Sequence, residues 1–340
     1  MTATARSGDR SSPRTRLLRW FDREKRELPW RGSRDPYAVW ISEVMLQQTT
    51  VQTALARYGP FLRRFPNVRA LAGAREDSVL AAWSGLGYYS RARNLHRAAK
   101  EILSRHGGRI PQDAESLREL PGFGPYTAAA VAAIAFGKFA LPMDANIRRV
   151  VSRLFATENP RERLSRVIDR ERAGDSIAAL FDLGQEICRP QTPSCPACPV
   201  SRNCRARREG SVARFPERKR LAPFRPVYLC AAATRRKGKY WLRRRKSTWL
   251  SGLWEFPAFE AASRRRARAD FRRAYPDATL LGETEHTVVR RKIRVEVYET
   301  GVAPRDSEGQ WMTVRQIRQG ASPTLTRKIA DLLSRGRLRA

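Results

Sequence analysis

The sequence has no apolar stretch of the kind a secretory signal needs: Met1 to Arg16 is polar and basic and reads as a loose tail. The longest apolar run, Ala128 to Gly137, is too short to cross a bilayer and is followed at once by Lys138. No membrane span is expected, and the chain is placed in the cytoplasm. Acidic residues are scarce, 33 against 67 Lys and Arg, which leaves a formal charge of +34. Such a field attracts polyanions and opposes compaction when unpartnered, so nucleic acid is the expected partner. Lysine is scarce too, only nine of the basic residues. Codon bias explains part of the arginine excess but does not halve the acids, and the planar guanidinium fork suits phosphate. Cysteine is limited to five residues, four of them crowded between Cys188 and Cys204. In a reducing compartment that crowding points to metal rather than disulfides. Cys230 stands apart and reads as a small core residue. There is no internal repeat.

The 340 residues, 41% hydrophobic, can build a substantial core, and the length favours two domains. From Leu17 to about Ala206 the apolar residues recur at helical spacing, so this region is read as all helical and closed by the cysteine loop. The boundaries drawn are a disordered tail over 1–16, a helical domain over 17–210 with the cysteine loop at 188–204, a linker over 211–226 and a second domain over 227–340. Three prolines among Arg and Lys mark the linker. In the second domain, Val227–Thr234 and Tyr240–Arg245 resemble strands of a hairpin, and Ile293–Tyr298 alternates apolar with charged residues. Helical patterns at Ala262–Tyr275 and Thr324–Arg335 make this domain α+β.

Two carboxylates sit in unusual company. Glu43 has Val39, Trp40, Leu46 and Gln47 as its neighbours at helical spacing, so a helix places it on an apolar face. Desolvation there raises the pKa of a carboxyl toward what a general acid needs at neutral pH; the plain alternative is a partly exposed Glu at a helix edge. Asp144 follows Pro142 and falls at the cap of the next helix, where backbone N–H groups and the helix dipole favour its anion. By itself that is also an ordinary structural cap. Together they form an acid and cation-stabiliser pair, which cleavage of an N-glycosidic bond requires.

Gly122 and Gly124 form a tight turn between helical patterns at Ala114–Glu119 and Ala128–Ala135, exposing backbone N–H groups that suit a phosphate; a plain helix–helix turn is the alternative. Leu86 to Arg93 sets Tyr88 and Tyr89 beside Arg91 and Arg93. Such a loop can wedge into stacked bases while Arg91 holds a phosphate, or its tyrosines can be core. Cys188, Cys195, Cys198 and Cys204 are separated by six, two and five residues. Four thiolates bind either zinc or a [4Fe–4S] cluster, and ligand softness does not decide between them.

Six ordered segments resemble the adenine DNA glycosylases of the MutY type, within the endonuclease III-like helix-hairpin-helix superfamily. They are Leu28–Arg31, Ser42–Thr49, Gly85–Tyr89, the glycine hairpin, Met143–Asn146 and the four-cysteine loop. The resemblance implies a mainly α helix-hairpin-helix glycosylase region, made of a six-helix barrel and an iron–sulfur module, followed by an α+β Nudix-like domain. It implies that Glu43 protonates the departing adenine, that Asp144 stabilises the sugar cation or its adduct, and that the four cysteines hold a [4Fe–4S] cluster rather than zinc. Trp30, Arg31, Leu46, Gln48, Tyr88, Tyr126 and Asn146 fall at base-pocket or duplex-entering positions. Lyase-competent relatives carry Lys where this chain has Tyr126, so base removal without strand cleavage is implied. The implied partner is double-stranded DNA with adenine opposite 8-oxoguanine or guanine, bound by a monomer.

Trp249–Pro257 and His286-Thr287 look like parts of the Nudix-type domain that reads the opposite base, with His286, Val289 and Arg290 as its reading residues. Many relatives carry Phe-Ser-His where this chain has Val288-Val289-Arg290, which leaves the preference for 8-oxoguanine open, although Arg290 can still donate to a guanine edge. The arginine-rich Ser263–Arg273 replaces the glutamates a Nudix hydrolase uses, so no nucleotide hydrolysis is expected. Two other readings are an endonuclease III-like glycosylase/lyase for oxidised pyrimidines, disfavoured by Tyr126 and the second domain, and a non-catalytic DNA-binding protein.

Overall fold

The computed structural model describes residues 11–217, 222–246, 250–301 and 309–335; Trp249 lies outside them. The chain divides into two compact units, Met1–Gly73 with Asn94–Lys219 and Ala74–Arg93 with Arg220–Ala340. This departs from the contiguous boundaries read from the sequence, because Ala74–Arg93 belongs with the C-terminal unit.

Helix α1 (Pro13–Glu24) opens on Ser12, whose hydroxyl accepts from Thr15 N, with Pro13 at the first helical position. The tail expected over 1–16 is therefore corrected: this cap starts a helix before Leu17. The chain continues through α2 (Pro36–Leu46), α3 (Val51–Arg64), α4 (Val68–Ala72), α5 (Glu76–Ala82), α6 (Ser90–His106), α7 (Ala114–Arg118), α8 (Pro125–Phe136), α9 (Ala145–Phe155), α10 (Arg161–Leu164), α11 (Ala173–Glu186) and α12 (Arg205–Arg208). No strand interrupts them among the described residues. One core of the first unit gathers Leu17 and Phe21 of α1, Ile147 and Val151 of α9, and Ile177 and Leu180 of α11. Helix α2 starts on the Asp35 cap and Pro36 and is buried continuously from Tyr37 to Met45, so it has no solvent face along that span. Helix α8 is almost as fully buried, and its alanines allow close packing of neighbouring helices. No helix among the described residues is long and apolar enough to cross a membrane.

The second unit carries a mixed sheet of β1 (Arg225–Arg236), β2 (Lys239–Arg244), β3 (Trp254–Glu255), β4 (Ala258–Ala261), β5 (Thr279–Val288), β6 (Arg291–Thr300) and β7 (Gly309–Met312). The spatial order is β3-β2-β1-β6-β5, with β4 beside β1 and β7 beside β2; β1 and β6 run parallel. Strand β1 is buried on both faces. Its Leu229, Ala231 and Ala233 pack with Ile317 of α14 (Val314–Gln319) and Ile329 and Leu333 of α15 (Thr324–Arg335), while Cys230 and Ala232 pack with Ala267 and Phe271 of α13 (Arg264–Ala274). That alternation is the period of two in a strand covered by helices on each side. Ala74–Arg93 joins this unit through Tyr89 Oη, which donates to Ser322 O at 3.1 Å, through Arg93 to Ser251 O, and through Asp77 to Arg244.

Gly122, in the turn between α7 and α8, has φ of +82°, and a Cβ there would lie 2.6 Å from Asn94 Cβ. Any L side chain meets both a left-handed backbone and an occupied volume. Gly122→Ala should lower the unfolding free energy by about 2–4 kcal/mol, read by urea denaturation; a loss below about 0.5 kcal/mol, the size of an ordinary surface change, would contradict this account of the turn.

Candidate active site

In the first unit a cavity of about 440 Å³ opens between α2, α8 and α11, lined by Trp30, Arg31, Glu43, Leu46 and Tyr126 among others. Because α2 is buried along its length, Glu43 is held in the wall with only 8% of its surface exposed. Desolvation pushes its pKa up to about 7. A hydrogen bond from the Tyr126 hydroxyl and the charge of Arg31 pull it down, and the charge of Asp144 pushes it up. Tyr126 is itself raised well above the usual phenol range, first by burial and then by Glu43 and Asp144.

Asp144 caps α9 as its position after Pro142 predicts. Its Oδ1 accepts from Ile147 N at 2.7 Å and its Oδ2 from Asn146 Nδ2 at 3.0 Å. The carboxylate does not line the cavity but acts on both Glu43 and Tyr126 through its charge. Asn146 Oδ1 in turn accepts from Arg149 Nη2 at 2.9 Å, and Arg149 Nε donates to the carbonyl of Cys188 at 2.7 Å. A continuous hydrogen-bonded path thus links Asp144 to the cysteine loop.

Trp30 is buried and meets Tyr58 edge-on at 5.2 Å. Arg31 stands over the Phe21 ring at 5.2 Å, and its Nη2 reaches both oxygens of Asp182 at 2.9 and 2.8 Å. Gln48 is exposed in a left-handed backbone conformation, φ +51°, and does not line the cavity. Gly122 and Gly124 are exposed, and Gly124 caps α8 without a side-chain hydrogen bond, which leaves the first-turn N–H groups without a side-chain partner.

Cys188, Cys195, Cys198 and Cys204 converge on a small cavity of about 30 Å³. Burial and the neighbouring sulfurs push the Cys198 thiol up to about 12, and Cys204 is raised for the same reasons. Thiols gathered where their anions are disfavoured fit a bound cation that offsets the cost. Among the described residues no group of three or more His, Cys, Asp or Glu stands as a site for a single metal ion. Arg153, buried beneath them, donates to Cys188 Sγ at 3.4 Å and to the carbonyls of Arg189 and Pro190 at 2.8 and 2.9 Å.

The second unit contains a separate cavity of about 580 Å³, lined by Tyr88, Tyr89, Arg93, His286 and Val289 among others. Tyr88 is 44% exposed at φ +44°. Val289 and Arg290 form the two-residue turn between Val288 and Arg291, both at positive φ; such a turn favours Asn-Gly, so a β-branched Val289 is strained, and it is 58% exposed. His286 lies in β5 opposite Ile293, its pKa lowered by burial and by Lys328.

Two expectations are corrected. Arg91 does not reach out to a phosphate: it is buried, donates to the carbonyls of Leu86 and Gly87 at 2.7 and 3.2 Å, and stacks on Trp83 and Tyr88. The loop's own carbonyls and rings offer the guanidinium better partners than solvent. Arg290 is similarly engaged, with Ala222 O and the Phe224 ring at 5.8 Å, so its guanidinium is not held out for a base edge. In α13, where a Nudix hydrolase would carry metal-binding glutamates, Arg264 and Arg268 instead close on the buried Glu296 at 2.7 and 2.8 Å.

Sequence reasoning missed Asp182, Arg149 and Arg153. Asp182 carried the same signal as Glu43, an acid within the apolar run Ile177–Leu183, but Arg149 and Arg153 look like ordinary surface arginines of an amphipathic helix.

The raised pKa of Glu43 has a stability consequence of defined sign. Between the ordinary carboxyl range and about 7 the folded state binds a proton that the unfolded state has lost, so this stability is present at low pH and disappears as pH rises through about 7. Glu43→Gln should match wild type at pH 4.5 and be more stable at pH 8.5, by up to about 3 kcal/mol; equal stability of the two at pH 8.5 would contradict a desolvated Glu43.

Residues 41–169 match the family described as HhH-GPD superfamily base excision DNA repair protein, and residues 230–332 match the NUDIX domain. Adenine DNA glycosylase of Rattus norvegicus is 31% identical, aligned over 93% of this chain and 77% of its own. That of Homo sapiens is 32% identical over 92% and 72%. That of Mycobacterium tuberculosis is 40% identical over 57% and 67%. Among solved structures, a thermostable thymine-DNA glycosylase superposes with a TM-score of 0.54 at 28% identity, covering 57% of this chain and 94% of that one. An endonuclease III in a non-covalent DNA complex shares the fold of the same region, with a TM-score of 0.50 at 23% identity, covering 57% and 92%. With identity of this order running through both units, and an acid, an N-cap carboxylate and a four-cysteine loop on the helical one, the chain belongs to the adenine DNA glycosylase family, a DNA glycosylase of the base excision repair superfamily.

Proposed function

We propose that the protein removes adenine from mispairs in duplex DNA by hydrolysing its N-glycosidic bond, and that it does so without cutting the strand. The observation that carries this reading is Glu43, buried in a cavity wall with a pKa near neutrality and within the field of the Asp144 anion. An adenine turned out of the helix enters the first cavity. Glu43 gives its proton to a ring nitrogen of the base, so that the C1′–N9 bond breaks with its electron pair leaving on a neutral adenine. The Asp144 carboxylate balances the positive charge left on the sugar. A water molecule then adds to C1′, gives its proton to the Glu43 carboxylate and leaves an abasic site with the acid restored. The Tyr126 hydroxyl holds Glu43 in place; it has no amine for a Schiff base, and strand cleavage by that route has no nucleophile here.

Cys188, Cys195, Cys198 and Cys204 would hold a [4Fe–4S] cluster, which supplies structural and electrostatic support to the loop. Four thiols lining one small cavity fit a set of thiolate ligands, and the family to which the chain belongs favours the cluster over zinc. In the second unit, Tyr88, His286 and Val289 would face the opposite base. With Arg290 engaged by Ala222 O and the Phe224 ring, the hairpin tip offers an apolar side chain and backbone groups, and discrimination of 8-oxoguanine from guanine is expected to be weak.

Single-turnover incubation with duplexes bearing adenine opposite 8-oxoguanine, guanine or cytosine tests the reaction. Adenine release with intact strands until alkali is added is the expected outcome, falling by about 10²–10⁴ in Glu43→Gln and by about 10²–10³ in Asp144→Asn. Direct nicking at oxidised pyrimidines, or no release from any duplex, would overturn the reading. For the cofactor, purified protein should contain iron and absorb in the visible, and Cys198→Ser should lose both; stoichiometric zinc without iron would contradict the assignment.

A further inference from the structure

The cavity's acid has a charged neighbour that is itself fixed from behind. Asp182 is 1% exposed, on the buried face of α11, and accepts from two arginines of the segment between α1 and α2. Arg26 has other partners, Gln185 and Glu186, both at 3.1 Å. For Arg31, Asp182 is the only acid in ion-pair contact among the described residues, and it meets the guanidinium with both carboxylate oxygens. The Phe21 ring lies against the same guanidinium. Arg31 Nε is buried with no hydrogen-bond partner, so the group is anchored through one edge only. Replacing a whole buried ion-paired group with apolar residues is often neutral for stability, whereas removing Asp182 alone leaves Arg31 with no acid in ion-pair contact among the described residues. Beyond stability, Asp182 fixes where the Arg31 guanidinium stands.

We propose that Asp182 is a positioning residue for base excision: it neutralises Arg31 and pins its guanidinium to the cavity wall, and so keeps that charge from pairing with Glu43. The proposal rests on the reading of Glu43 as the acid. The groups acting on Glu43 come from three elements: Tyr126 of α8, Arg31 of the segment before α2, and Asp144 at the start of α9. Of these, Arg31 is the cation, and it favours the Glu43 anion. Of the other charged groups lining the cavity, Arg34 and Glu171 are exposed, and Arg172 is paired with Asp22 and Asp175. With Asp182 neutral, the charge of Arg31 acts on Glu43 without cancellation, and the side chain is free to swing toward it. Both effects deprotonate the acid.

The test reads Glu43 directly, independent of turnover. Infrared titration of the full-length protein follows the protonated carboxyl band of Glu43, identified by its loss in Glu43→Gln. In wild type the midpoint is expected at about 7. In Asp182→Asn it should fall by one pH unit or more, a tenfold or greater loss of proton affinity. Arg31→Gln should raise it, and adding Asp182→Asn to Arg31→Gln should change nothing further, because the effect passes through Arg31. Asp182→Glu, which keeps the charge, should stay closer to wild type than Asp182→Asn, and it remains informative if the Asn variant folds poorly. An unchanged midpoint in Asp182→Asn, or the same fall with and without Arg31, would overturn the proposal. Failure of wild type to release adenine would instead remove the catalytic reading while leaving the titration result standing.

Discussion

The structure depends on one constraint, a carboxyl group kept out of water. Helix α2 is buried from Tyr37 to Met45, so the helix that forms the cavity wall also determines that Glu43 has little solvent to ionise into. Everything around it follows from that position. Tyr126 on the Ala-rich α8 can approach because small residues let α2 and α8 pack closely, and its hydroxyl then satisfies an acceptor that would otherwise be stranded. Arg31 opposes the rise in proton affinity without reversing it, and Asp144 adds to it. The result is an acid that changes state near neutrality beside an anion tied to a helix cap.

Both charged groups beside Glu43 are supported from behind. Asp144 is fixed by Ile147 N and Asn146, Asn146 by Arg149, and Arg149 by the Cys188 carbonyl. Arg153 fastens the same loop through the carbonyls of residues 189 and 190. On the other wall, Asp182 fixes Arg31. Both arrangements use guanidiniums that meet more than one oxygen, Arg149 buried and Arg31 half-buried, a role for which arginine is better suited than lysine. The arginine excess of the chain is therefore partly internal architecture and not solely a polyanion-binding surface. Arg91 and Arg290 of the second unit are likewise turned onto backbone carbonyls and rings.

The helical character of the first unit was legible because apolar spacing and the Asp144 cap are local signals, whereas the Ser12 cap, equally local, was passed over inside a basic stretch read as tail. Glu43 was legible for the same reason: its apolar neighbours lie within one turn on either side. The N-cap position of Asp144 and the crowding of four cysteines were likewise local. What the sequence did not reveal depends on partners far along the chain. Arg31 and Asp182 are 151 residues apart, and Arg149 and Cys188 are 39 apart. No periodicity reports such a pairing. The membership of Ala74–Arg93 in the second unit was invisible for the same reason, since Tyr89 finds Ser322 across 233 residues. Residue type alone could not show whether a guanidinium points to solvent or to a carbonyl, whether that carbonyl is a few residues away, as for Arg91, or 68 residues away, as for Arg290.

The central claim is that the acid for base release is a buried, protonated Glu43. The pH dependence of single-turnover adenine release tests it most directly. The account predicts a rate that is level below neutrality and falls tenfold per pH unit above a midpoint near 7. A rate that stays level from pH 6 to 9, or rises across that range, would contradict it.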